Sequence, residues 1–158
     1  MNDPDRKRIL VVDDDELVVT SLKHLLALER SYEVLAFTSC EEALAAIRQM
    51  PIHVGVSDFL MPEMDGVAFL KHVRALYPEA PLMILTGYAD KESAIRAINE
   101  VGLYQYLEKP WENDDLLHVI DSALDDRMVI NKLQEYAREL EAKLKLLDEE
   151  VARLKGAP

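Results

Sequence analysis

The chain has 158 residues, with 30 Asp and Glu against 18 Lys and Arg, a formal charge of −12 and an apolar share of 49%. That length suits one domain of about 100 to 150 residues with an appendage, and the apolar share is ample for a core. The acidic balance argues against direct nucleic-acid binding, which depends on cations that neutralise phosphates; the single cysteine, Cys40, cannot form an internal disulfide, and neither a signal segment nor an apolar stretch of about 20 residues is found. A cytoplasmic protein without a membrane segment is expected.

In chain order, short runs rich in Val, Ile and Leu alternate with longer stretches of helical period. Strands are expected near 8–13, 32–37, 52–57, 81–86 and 103–107. Helices are expected near 15–29, 40–49, 66–76, 90–100 and from about 112. Pro51, Pro78, Pro81, Gly102 and Pro110 fall at the boundaries, where chain breakers belong. Nearly continuous apolar strands read as buried and parallel, and right-handed crossovers then place helices on both faces of a doubly wound (βα)5 sheet. The divisions expected are a tail at 1–7, a domain at 8–125 and a helical extension at 126–158.

From Trp111 to Lys155 there is neither Gly nor Pro, so nothing local stops the last helix. Ile130, Ala137, Leu144 and Val151 alternate with Leu133, Leu140, Leu147 and Leu154 and fill the a and d positions of a heptad register. At about 1.5 Å per residue the seam is roughly 37 Å long. In a second, parallel copy, Lys143 at g would face Asp148 at e, and Glu150 would face Lys155. The pattern predicts a parallel homodimer through 130–154, weakened by Ala137 and beginning only after Asp126, which holds a d position. A lone amphipathic helix can also fold back on its own domain or act as a linker. The unfinished heptad tract suggests a fragment of a longer protein.

The chemistry-bearing residues stand at the carboxyl ends of the expected strands, where open parallel sheets bind ligands. Asp13 and Asp14 follow Ile9 to Val12, Asp58 follows an apolar run, Thr86 follows Leu82 to Leu85, and Lys109 follows Leu103 to Leu107. Carboxylates held close repel unless a cation joins them, a pKa rises or water intervenes. Oxygen ligands point to Mg²⁺, which keeps several waters and needs only one or two carboxylates plus a phosphoryl oxygen. Asp58 is then the candidate nucleophile that becomes an acyl phosphate, Lys109 a second cation for the phosphoryl oxygens, and Thr86 a hydroxyl that senses them.

The acidic pair Asp13 and Asp14, Asp58 with Met61-Pro62 and Asp65-Gly66 after it, Thr86-Gly87 and Lys109-Pro110 resemble the receiver domain of two-component response regulators over about residues 7–125. The resemblance implies a flavodoxin-like sheet of strand order 2-1-3-4-5. It implies that a sensor histidine kinase or phosphotransfer protein phosphorylates Asp58, and that Asp14, Asp58 and the Leu60 carbonyl hold Mg²⁺, with Asp13 acting through water. It implies a cis Lys109-Pro110 bond and a switch in which Thr86 is drawn inward and the Tyr106 ring follows. In this family the positions two after the aspartate and two after the threonine tune phosphoryl lifetime. Here they are Leu60 and Tyr88, neither suited to orient a water, so slow self-dephosphorylation is expected.

Plainer roles are assigned to the remaining candidates. Asp65 and Asp15 read as helix N-caps, Trp111 as an anchor for the last helix, Cys40 as a small residue near a helix start, and the four scattered histidines as surface or core-edge groups. Asp13-Asp14-Asp15 also resembles the start of haloacid-dehalogenase-type phosphatases, with Asp13 as nucleophile and Asp15 as general acid, but that leaves the segment after Asp58 unexplained. A constitutive dimeriser with a degenerate pocket is disfavoured because no required oxygen, hydroxyl or ammonium is missing.

Overall fold

The structure is a computed structural model, described here for residues 6–87 and 91–156. Five strands alternate with five helices: β1 Lys7–Val12, α1 Glu16–Ala27, β2 Tyr32–Phe37, α2 Cys40–Ile47, β3 Val54–Ser57, α3 Gly66–Leu76, β4 Leu82–Thr86, α4 Lys91–Val101, β5 Gln105–Glu108 and α5 Asn113–Lys155. All neighbouring strands pair in parallel, in the order β2-β1-β3-β4-β5. Chain order and doubly wound topology are as expected.

Alternation along each strand divides the core between the two sheet faces. Leu10, Val12, Leu82 and Ile84 face one way, under Ala43 and Ile47 of α2, Val67, Phe69, Leu70 and Val73 of α3, and Ala97 and Val101 of α4. Ile9, Val11, Val54, Val56, Met83 and Leu85 face the other, against Leu22, Leu25 and Leu26 of α1 and Leu116, Ile120 and Ala123 of α5. Trp111 packs at the edge of this second cluster, the anchoring role assigned to it. The helix starts are chemically marked. Asp15 accepts from the Leu17 amide, Ser39 from Glu42 and Asp65 from Ala68, which confirms Asp15 and Asp65 as N-caps.

Two strands start later than their apolar runs suggest. β3 begins at Val54 because His53 Nδ1 takes the Arg8 amide at 2.9 Å, replacing a strand bond with a side-chain one. β5 begins at Gln105 because Gly102, at φ +72°, turns the chain out of α4, and only from Tyr104 does the backbone bond to β4 through the Leu82 carbonyl. As an edge strand β5 is only partly buried, unlike β3 and β4.

The chain divides into two compact units, one through Leu124 and one from Asp125. In the second unit, the seam residues Ile130, Leu133, Leu140, Leu144, Leu147, Val151 and Leu154 are all exposed. No helix among the described residues is long and apolar enough to cross a membrane.

Candidate functional site

Hydrogen bonds beyond the strand ends hold the backbone of the pocket residues. The Asp13 amide donates to the Phe37 carbonyl at 3.2 Å, the Asp58 amide to Val12 at 3.0 Å, and the Lys109 amide to Thr86 at 2.9 Å. The sheet ladder thus continues into the site, so the positions of Asp13, Asp58, Thr86 and Lys109 are inherited from strand register. Asp13, Asp58 and Thr86 are buried, whereas Asp14 is exposed.

One carboxylate oxygen from each of Asp13, Asp14 and Asp58 falls within 4.8 Å of the others. Lys109 enters the same cluster, with Nζ 2.6 Å from Asp13 Oδ2 and 3.5 Å from Asp58 Oδ2. Burial raises the Asp13 carboxyl above the usual carboxylate range, and the charge of Asp58 adds to this. The hydrogen bonds from Lys109 and from the Asp15 amide oppose the rise but do not cancel it. Burial alone would lower the Lys109 ammonium, but the hydrogen bond and charge of Asp13, with the charge of Asp58, outweigh it and hold the lysine above its ordinary value. The pocket therefore keeps a charged lysine among crowded carboxylates.

Asp58 is oriented by its own neighbours. Its Oδ1 accepts the Phe59 amide at 2.7 Å, which turns Oδ2 towards Lys109. Its backbone carbonyl accepts the buried Ser57 hydroxyl at 2.9 Å. Gly66 sits so close that a Cβ there would lie 2.0 Å from the Asp58 carbonyl oxygen, so only glycine allows α3 to begin against this backbone. Sequence reasoning passed over Ser57 and the Phe59 amide. A polar residue ending an otherwise apolar buried strand was the available signal for Ser57; a backbone amide leaves none.

The other expected residues are accounted for in turn. Thr86 closes β4 and pairs in register with Glu108 of β5. Tyr106 pairs with Ile84 and is half-buried against the core face that α4 covers. Leu60 is half-exposed beside Asp58 and Phe59. The Lys109-Pro110 bond is cis, as the resemblance implied. Tyr88 lies outside the described residues. Cys40 is buried at the start of α2, its thiol pushed up to about 11 by burial and by the charges of Glu63 and Asp14, and its Sγ lies 3.7 Å from Met61 Sδ.

The family model of the response regulator receiver domain matches residues 9–121. The chain belongs to this family. It is 38% identical over 117 residues to the hydrogenase transcriptional regulatory protein HoxA of Cupriavidus necator, covering 74% of this chain and 24% of that protein. Among solved structures, it resembles the signal receiver domain of an HD domain-containing protein from Pseudomonas fluorescens Pf-5, with TM-score 0.75 and 31% identity over 78% of this chain and 98% of that one. It also resembles the beryllofluoride-activated NtrC4 receiver domain dimer, with TM-score 0.70 and 32% identity over 76% of this chain and 98% of that one. The chain spans about a quarter of the length of HoxA. Receiver domains are signalling modules of two-component systems, and the match leaves the phosphatase alternative without support.

Proposed function

We propose that the receiver domain works as a switch in which Asp58 accepts a phosphoryl group from the phosphohistidine of a sensor kinase or phosphotransfer protein. The observation that carries this reading is the gathering of three carboxylates within 4.8 Å of one another, with the Lys109 ammonium among them. Asp58 Oδ1 is engaged by the Phe59 amide, so Oδ2 is the oxygen that attacks phosphorus, and the donor imidazole leaves. Lys109, held charged by its acidic neighbours, then exchanges Asp13 for a phosphoryl oxygen.

The donor set fits a hard cation, being all oxygen and partly solvated. Asp14, Asp58 and the Leu60 carbonyl would hold Mg²⁺, with Asp13 acting through water. When bound, the ion offsets negative charge on the transferring group. Thr86 and Tyr106 form the switch: the Thr86 hydroxyl moves to the phosphoryl group, the Tyr106 ring turns inward, and the surface of α4, β5 and the first part of α5 is remodelled. Only a group that interacts differently with the two arrangements can shift their populations, and the phosphoryl group is that ligand. Leu60 and Tyr88 give no water-orienting acid or amide, so self-dephosphorylation is slow; a phosphoryl half-life of seconds would count against this.

Output passes through that surface and the extended helix to a partner or effector domain, in the cytoplasm where kinases of this type deliver phosphate. The exposed seam from Ile130 to Leu154 and the opposite charges at its flanks support a parallel homodimer. The beryllofluoride-activated NtrC4 receiver domain is a dimer, which is compatible with a receiver acting in pairs. Light-scattering mass with Mg²⁺ and beryllofluoride, a mimic of the phosphoryl group, tests the reading on wild type and Asp58→Asn. A change of mass or shape in wild type alone supports pocket control of the dimer. A dimer throughout makes the coiled coil constitutive, and a monomer throughout removes the dimer from the account.

A further inference from the structure

The helix that the switch must move is lightly anchored by apolar packing. Among the described side chains, α4 buries only Ala97 and Val101, whereas α3 buries Val67, Phe69, Leu70 and Val73. In place of a broad apolar face, α4 carries a chain of charges to α3. Arg96 donates to Asp65 Oδ2 at 3.2 Å and to Glu100 Oε1 at 3.3 Å, and Glu100 Oε2 lies 2.8 Å from Lys71 Nζ. The four charges alternate in sign, and they grip α3 at two places about 9 Å apart along its axis. Two points of attachment hold the direction of α4 as well as its distance.

One end of this ladder lies beside the acceptor. Asp65 is the N-cap of α3, giving Oδ1 to the Ala68 amide at 2.7 Å while Oδ2 takes Arg96. The next residue, Gly66, donates its amide to the Phe59 carbonyl at 2.7 Å and leaves no room for a Cβ against the Asp58 carbonyl. From Arg96 to the acceptor backbone there is thus an unbroken path: ion pair, helix cap, glycine contact.

We propose that the Asp65-Arg96-Glu100-Lys71 ladder is a restraint that ties α4 to the acceptor loop and opposes phosphoryl-driven rearrangement. The proposal rests on the switch reading above. Arg96 acts through Asp65 and touches no phosphoryl group, so it is a positioning residue. The ladder closes only with α4 where it now stands, and therefore weights the population towards that arrangement. Its members are half-exposed, so its effect is modest and falls with salt.

The test is the affinity of the whole chain for beryllofluoride at saturating Mg²⁺, by calorimetry, in wild type, Arg96→Gln, Asp65→Ser and the double variant, with Asp58→Asn as control. Serine keeps a cap acceptor at the start of α3 and removes the charge. Both single variants should bind beryllofluoride about two- to fivefold more tightly than wild type at low salt. Their effects should not add, because each breaks the same link. Raising the salt should bring wild type towards the variants, while affinity for Mg²⁺ alone stays unchanged. Unchanged or weaker beryllofluoride binding in both variants overturns the ladder, as does full additivity. If wild type fails to bind beryllofluoride, or Asp58→Asn binds it equally well, the switch reading falls and the ladder falls with it. Binding by wild type and its loss in Asp58→Asn, with no effect of Arg96→Gln, removes the ladder alone.

Discussion

The two units of this chain use leucine in opposite ways. Through Leu124 the apolar side chains of β1, β3 and β4 and the inner face of α3 are almost wholly buried, and the carboxyl ends of those strands converge on a polar pocket. From Asp125 onward the apolar side chains of the seam are about half to two-thirds exposed, from 46% at Val151 to 63% at Leu154. The first unit buries most of its apolar pattern within itself and gathers acidic groups at one end of its sheet. The second satisfies its backbone within a helix and leaves its apolar stripe exposed. One unit thus carries an acidic pocket and the other an exposed apolar stripe.

The difference can be broken most severely at the acceptor pocket. Replacing Lys109 with methionine should slow phosphoryl uptake from acetyl phosphate about 10²-fold, since a preorganised charge aimed at the transferring oxygens is lost. An uptake rate within threefold of wild type, followed by intact mass, would remove Lys109 from the mechanism. In the core, Phe69→Ala should cost about 3–5 kcal/mol of stability. Leu140→Ala, in the second unit, should change the unfolding of the first unit by less than about 0.5 kcal/mol. Trp111, the sole tryptophan and half-buried against the second core cluster, reports both. Equal effects would show that the seam is part of the folded core.

Mg²⁺ sharpens the comparison further. At about one hundred times its dissociation constant it should stabilise the first unit by about 2.7 kcal/mol, and this should shrink markedly in Asp58→Asn. The raised pKa of Asp13 means that its carboxyl takes a proton at higher pH than an ordinary carboxylate. Protons compete with the ion, so Mg²⁺ stabilisation should fade as pH falls through that raised value; a stabilisation constant down to the ordinary carboxylate range would contradict the site. The smallest effect is expected in the second unit. Exchanging Lys143 for Glu sets it against Asp148 of a second copy and should weaken a parallel dimer by less than about tenfold, measured by sedimentation.

Much of the first unit was legible because each pocket residue ends an apolar strand, and parallel sheets put such ends together. Asp13, Asp14, Asp58 and Lys109 could be gathered from spacing alone. What spacing could not show is that Lys109 rests nearer Asp13 than Asp58, since that depends on which carboxylate is buried beside the ammonium. The start of β3 is illegible for a comparable reason: Ile52 extends the apolar run across His53, but the His53 imidazole takes the Arg8 amide. The link from Asp65 to Arg96 joins residues 31 apart on two helices, and nothing in either helical pattern announces it. The caps at Asp15 and Asp65 were readable because capping is local.

The identity of the acceptor decides the mechanism. The most direct measurement is the mass of the protein after reaction with acetyl phosphate and Mg²⁺, followed by peptide mapping of the labelled residue. A single phosphoryl group on Asp58, absent without Mg²⁺ and absent in Asp58→Asn, is the predicted result. Label that persists in Asp58→Asn, or that maps to Asp13, would contradict it.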